Sequence, residues 1–219
     1  MKRFTLYIMS IAIVAFAFSS CLKDDDNNTV ANRVLTQSEK VKSLIESQGA
    51  YTGKLYYYNN SSQSDSIDIH WTVSGSDSIL TITDFPISAF SNSAYTDATT
   101  TDLLKNSPTK ELSFTLHGYY NSGFDGGFYS FTLAPNITGV IITPDDEESG
   151  KDNTINISYA NYLQDYTIYG QTIYTYPICE YFEKKMQGYV LIDKLMVNSN
   201  TVNVNKAYYF SERKTKRCV

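Results

Sequence analysis

The stretch Asp65-Ser-Ile-Asp-Ile-His-Trp-Thr-Val73 decides the fold class. Ile67, Ile69, Trp71 and Val73 fall on one face of an extended chain, and Asp68, His70 and Thr72 fall on the other. That two-residue period is the mark of a half-buried strand, not of a helix. The neighbours read the same way. Tyr51 to Tyr58 is rich in strand formers and ends at the turn cluster Asn59-Asn60-Ser61-Ser62. Ile79 to Phe85 follows a Ser74–Asp77 turn and stops at Pro86, so residues 50–85 form a three-strand meander.

Downstream, further strands are expected over 111–120, 128–133, 137–143, 154–158, 166–176, 188–197 and 201–210. Asn198-Ser199-Asn200 is a hairpin turn. About ten strands with short connections make an antiparallel β-barrel or a β-sandwich. Nothing alternates helix with strand, which excludes a parallel α/β sheet. One short helix is expected at the N-terminal end, over roughly 38–48 by its cap and stop signals. Thr36 and Glu39 fit a capping box, Val41, Leu44 and Ile45 supply its apolar face, and Gly49 stops it. Asp102 to Lys105 is a candidate helical turn.

The 219 residues are 42% hydrophobic and 19% charged, enough apolar material for one folded domain. The formal charge of −5 supplies no basic excess for phosphates, which argues against a nucleic-acid partner.

The first residues read as an address. Lys2 and Arg3 precede an apolar run from Phe4 to Phe18, broken only by Thr5 and Ser10. This is shorter than the ~20 residues of a spanning helix and has the flanks of a secretory signal. Ser19-Ser20-Cys21 resembles the lipobox of bacterial lipoproteins, with Phe18 where Leu is usual. The resemblance implies a signal peptide of residues 1–20, cleavage before Cys21, and acylation of that cysteine with palmitate-type chains. Lys23, Asp24, Asp25 and Asp26 resemble the surface-export signal of Bacteroidetes lipoproteins. Residues 21–36 are then a lipidated flexible tether and 37–219 the all-β domain. Loss of Lys2 and Arg3 takes 18 basic residues to 16 against 23 acidic, a charge of −7. An anionic body would be held at the membrane by its acyl chains rather than by basic residues.

Gly49-Ala-Tyr51-Thr-Gly53-Lys-Leu55, the strand ending Asp84-Phe85-Pro86, and Tyr208-Tyr-Phe210 resemble uncharacterised putative lipoproteins of gut Bacteroidetes. Some of those adopt calycin-like β-barrels. The resemblance implies fold and location: an outer-membrane, lipid-anchored protein facing the cell surface. It implies no activity.

Catalytic signatures are sparse. The two histidines, His70 and His117, lie on separate strands, and neither a G-x-S-x-G nor an H-E-x-x-H motif occurs. No cofactor or metal is expected. The acidic stretch from Pro144 to Asp152 has alternating ligands, but Asn156 stands where a calcium loop needs a bidentate Glu. Cys179 and Cys218 remain after Cys21 is lipidated, and an oxidising compartment permits a disulfide between them.

Tyrosine is the compositional outlier, at 19 residues against 11 Phe and one Trp. Its ring stacks on sugar rings and its hydroxyl donates, so Tyr-rich faces suit glycans. Sheet building accounts for most of the excess, since consecutive Tyr residues in a strand point to opposite faces. Tyr159, Tyr162, Tyr166, Tyr169, Tyr174 and Tyr176 are the candidate ligand-binding cluster. The leading expectation is non-enzymatic binding of a ligand or envelope partner, with a barrel interior able to hold a small apolar molecule. The alternatives are a glycan-directed hydrolase using carboxylates such as Asp65, Asp68 or Asp84, and a structural or adhesin-type surface subunit.

Overall fold

The computed structural model describes residues 33–59, 61–136, 139–142, 153–168 and 171–212. Cys21, the cluster Lys23–Asp26, the acidic loop over 144–152, Tyr169 and the C-terminal residues from 213, with Cys218, lie outside these. Within 139–142, 163–168 and 171–174 the backbone path is described.

The meander read from the sequence is present as β1 (Gly49–Tyr58), β2 (Ser64–Ser74) and β3 (Ile79–Phe85). β4 (Lys110–Tyr119) and β5 (Tyr129–Pro135) extend it. β10 (Ile178–Phe182), β11 (Lys185–Val197) and β13 (Ala207–Glu212) complete a ring in the order β10-β5-β4-β3-β2-β1-β13-β11. Pairing of β10 with β11 closes it as an eight-stranded antiparallel barrel. Of the two all-β architectures open to the sequence, the chain adopts the barrel.

β11 is the longest strand and belongs to two sheets. Up to Leu191 it pairs with β13 inside the barrel. Beyond an irregularity at Ile192–Lys194 it pairs with β7 (Ile155–Tyr159), which in turn pairs with β6 (Gly139–Ile142). β12 (Asn200–Val202) folds back on its end through the Asn198–Ser199 turn. β8 (Leu163–Ile168) and β9 (Gln171–Thr175) form a separate hairpin. The expected single strands 166–176 and 201–210 are thus each two strands. The expected strand from 188 begins at Lys185, because Glu183 and Lys184 take left-handed φ values of 51° and 63° in a tight turn after β10. Charged residues there give little turn signal.

An eight-stranded barrel is just wide enough for side chains to fill or for one small ligand. Here side chains fill it. Leu55, Ile69, Trp71, Ile82, Phe131, Val190 and Phe210 are all completely buried. Trp71 stacks on Tyr51 at 5.7 Å between ring centroids and meets the edge of Phe210 at 5.3 Å. These residues make the described interior a side-chain core.

Both barrel ends carry a helix. At one end lies α1 (Gln37–Ser47), with its expected capping box: Thr36 Oγ1 accepts from the Glu39 N–H, and Glu39 accepts from the Thr36 N–H at 2.8 Å. Its buried face differs from expectation. Ser43, Leu44 and Ser47 are buried, while Val41 and Ile45 are 43% and 60% exposed. The helix backbone sits close to the rim: a Cβ on Gly75 would lie 3.0 Å from the Leu44 carbonyl oxygen. Only small side chains fit against so near a surface. The two serine hydroxyls donate back to Lys40 O and Leu44 O, so their burial leaves no donor orphaned. At the other end, α2 (Ala89–Ser93) inserts Phe90 against Phe85 and Tyr208, and α3 (Ala98–Lys105) follows, capped by Asp97. The expected turn at 102–105 is the last turn of α3.

Candidate functional site

Strand alternation sorts the tyrosines. In β1, Tyr57 points inward and is buried, whereas Tyr56 and Tyr58 face out. Register then builds a row. Tyr56 is opposite Tyr209 of β13, and Tyr209 is opposite Tyr189 of β11. Their ring centroids are 6.0 Å and 5.0 Å apart, and all three rings are half-buried. Directly opposed side chains on one sheet face must meet, so the row follows from pairing alone.

A polar row runs beside it. Glu180 is opposite Gln187, Gln187 is opposite Ser211, Ser211 is opposite Lys54, and Lys54 is opposite Asp68. The Tyr209 hydroxyl donates to Gln187 Oε1 at 2.6 Å, and Gln187 Nε2 donates to Glu180 Oε2 at 3.1 Å. Lys54 is held by Asp68 at 3.0 Å. The hydroxyls of Tyr56 and Tyr189 make no hydrogen bond among the described residues. Burial raises the phenol pKa of Tyr189 and of Tyr209; the Glu180 charge adds to both, and Ser211 opposes the rise at Tyr209. Both are neutral donors at ordinary pH.

The polar row opens into a recess of about 200 Å³ at the barrel rim, with Phe128, Phe182 and Met186 as its apolar lining and Glu180, Glu183, Lys185 and Glu212 as its charges. Burial raises the Glu212 carboxyl pKa, with Lys185 opposing the shift. The combination is half-exposed aromatic rings, a preset chain of hydrogen-bonding groups and an adjoining recess. It can bind by stacking and hydrogen bonding.

The expected tyrosine cluster separates. Tyr159 is 8% exposed and packs edge-on to Phe114 at 6.3 Å, with a buried hydroxyl that finds no partner among the described residues. Tyr162 and Tyr176 are exposed and lie 6.2 Å apart, flanking the β8–β9 hairpin. Tyr166 and Tyr174 are on that hairpin, Tyr166 opposite Ile173 and Tyr174 opposite Gln164. Tyr189, Tyr209, Gln187 and Glu180 were not singled out from the sequence. Each strand shows the alternation that turns them outward, but which strands neighbour one another is not written in any one of them.

The candidate carboxylates each have a different partner. Asp65 accepts from Tyr57 at 3.3 Å, Asp68 pairs with Lys54, and Asp84 accepts from the His70 backbone N–H at 2.7 Å and contacts His70 Nδ1 at 2.6 Å. His117 stands exposed on β4. Among the described residues no three His, Cys, Asp or Glu side chains gather for a metal. Cys179 is fully buried opposite Phe131 and Gly188, and burial pushes its thiol pKa up. Its expected partner Cys218 lies outside the described residues.

No curated protein and no solved structure matches the chain. One family model does, a domain of unknown function, over residues 46–197. The match takes in β1 to β11 and stops before β13, the strand that joins β11 to β1 and completes the tyrosine row. Covering more than half of the 219 residues, it assigns this chain to the DUF4840 family.

Proposed function

We propose that this chain is a lipid-anchored cell-envelope protein that binds a ligand or partner on the outer wall of its barrel and catalyses no reaction. One observation carries the reading. Among the described residues the interior is filled by core side chains, while the Tyr56–Tyr209–Tyr189 row and its polar neighbours stay half-exposed outside. A barrel whose lumen is core can recognise other molecules only through its wall, rim or attached elements. The anchor rests on the basic start, the apolar run Phe4–Phe18 and Cys21, and the surface-facing location on Lys23 and Asp24 to Asp26. No helix among the described residues is long and apolar enough to cross a membrane. Two or more acyl chains on Cys21 would suffice for stable attachment.

Metabolic labelling with an alkyne fatty acid tests the anchor. The expected result is label on the wild-type chain, and loss of both label and membrane association in Cys21→Ala. A Cys21→Ala chain that keeps its label would overturn it. Protease treatment of intact cells tests the orientation. The wild-type chain is cleaved, and replacing Asp24, Asp25 and Asp26 by Ala protects it.

A further inference from the structure

Resting on that reading of the outer wall as the binding surface, we infer that the Tyr189–Tyr209–Tyr56 face binds a neutral saccharide chain. A sugar ring offers an apolar C–H face and a rim of hydroxyls. The barrel wall offers the matching pair: three tyrosine rings placed side by side by strand register, and a parallel row of amide, carboxylate and hydroxyl groups. Tyrosine supplies contact area at low conformational cost, and its hydroxyl adds directed hydrogen bonds.

The row is organised before any ligand arrives. Tyr209 is fixed by Gln187, and Gln187 by Glu180, so one edge of the platform is held in place. The Tyr56 and Tyr189 hydroxyls are left to pair with what binds. Preset groups cost less ordering entropy on binding. The rim recess continues the same surface, since Glu180, Gln187 and Ser211 belong to both.

Charge selects the occupant. Among the described residues Glu180, Glu183, Glu212 and Asp68 border the face with two cations, Lys54 and Lys185, and Lys54 is already held by Asp68. Uronic acids and nucleic acids would meet net repulsion. A protein partner wants an apolar centre that can be fully desolvated. The central ring of this face, Tyr209, instead carries a hydroxyl already bonded to Gln187, and Glu180 holds that amide.

The experiment is affinity electrophoresis and titration calorimetry on the full-length protein in a polyoxyethylene detergent, which carries no sugar headgroup to compete. The probes are soluble mannan, xylan, β-glucan and galactan, with alginate and polygalacturonate as anionic counterparts. At least one neutral polysaccharide is expected to retard the protein, and neither anionic one. Tyr209→Ala and Tyr56→Ala are each expected to weaken binding by about tenfold, from the worth of one aromatic contact. Tyr209→Phe keeps the ring and loses the bond to Gln187, and should cost about threefold. His117→Ala, exposed on β4 across the ring from β13, should change nothing. Circular dichroism checks that each variant is folded, and Tyr56→Ala serves if Tyr209→Ala is not. Four results overturn the inference: no retardation by any neutral probe, preference for alginate, binding unchanged in folded Tyr56→Ala and Tyr209→Ala, or binding lost in His117→Ala alone. Tyr209-dependent capture of an envelope protein with no saccharide bound also overturns it, while leaving the outer-wall reading intact.

Discussion

The Tyr208 hydroxyl and Ser93 Oγ share a buried hydrogen bond of 2.7 Å that ties β13 to α2 across 115 positions of chain. Ser93 also reaches the Ala89 and Phe90 carbonyl oxygens at 3.2 and 3.3 Å. Its single hydrogen is used there, so Tyr208 is the donor between them. The ring itself packs edge-on to Phe85 and Phe90.

Removing either hydroxyl should therefore cost different amounts. Ser93→Ala leaves the Tyr208 O–H buried without an acceptor and should destabilise by about 1–3 kcal/mol. Tyr208→Phe removes the orphan as well as the bond and should cost about 1 kcal/mol. The double variant should lose less than the two added together, because the second change relieves the first. Urea unfolding of the four proteins measures this, and strict additivity would show that the bond does not couple the two elements.

Two glycines mark where barrel strands come closest. A Cβ on Gly53 would collide with the backbone of Ser211 and Glu212 in the adjoining β13. One on Gly188 would lie 2.6 Å from the Ile178 carbonyl oxygen and 2.7 Å from Phe210 Cζ. Backbone cannot step aside as a flexible side chain can. Gly53→Ala and Gly188→Ala are each expected to destabilise by about 2 kcal/mol or more. Gly126→Ala is the control, since its Cβ would enter open space. It should stay within about 0.5 kcal/mol of wild type, as surface changes usually do.

Alternation and turn residues carried much of the architecture. The meander of 49–85 is plain because Ile67, Ile69, Trp71 and Val73 all face the core, and its turns hold Asn, Ser and Gly. Features that depend on distant pairing were not legible. The hairpin from β10 to β11 turns on Glu183-Lys184, and nothing local says that two charged residues take left-handed φ. The stretch 201–210 alternates well enough for one strand, yet β12 and β13 pair with opposite ends of β11 and break it. The tyrosine row is the same problem at the site. Tyr56, Tyr189 and Tyr209 are each visibly outward in their own strands, but only the closure of the ring puts them side by side.

α1 shows an apolar pattern overruled by a close approach. Leu44 is buried, so Leu44→Ala should cost about 2 kcal/mol. Val41→Ser and Ile45→Ser touch exposed positions and should each change stability by less than about 0.5 kcal/mol. Ser47→Leu would force bulk under the helix beside the Tyr51 hydroxyl, which donates to Ser47 O at 2.5 Å, and should cost about 1–3 kcal/mol. Thermal unfolding ranks the four. A large loss in the Val41 or Ile45 variant with a silent Leu44→Ala would mean that the helix is rotated from the described position.

Alkaline pH should unfold the domain through its buried tyrosines. Burial raises the phenol pKa of Tyr51, Tyr159 and Tyr208 well above the ordinary value of 10.0. In the unfolded chain each phenol releases its proton from about pH 10 upward, while the folded chain retains it. The folded state then binds more protons, so stability is full below pH 10 and falls as pH rises above it. The melting temperature should be flat from about pH 8 to 9 and drop steeply beyond about pH 10. Phenolate absorbance should show these groups ionising together with unfolding, not before it. Tyr159 separates this effect from general charge repulsion. Its hydroxyl is buried without a partner among the described residues, so Tyr159→Phe removes a desolvated donor and should stabilise the protein by about 1 kcal/mol at neutral pH. It should also shallow the alkaline slope by up to one proton, because one raised phenol is gone. A Tyr159→Phe protein that is less stable than wild type, with an unchanged slope, would place that hydroxyl in contact with water or with a bonding partner.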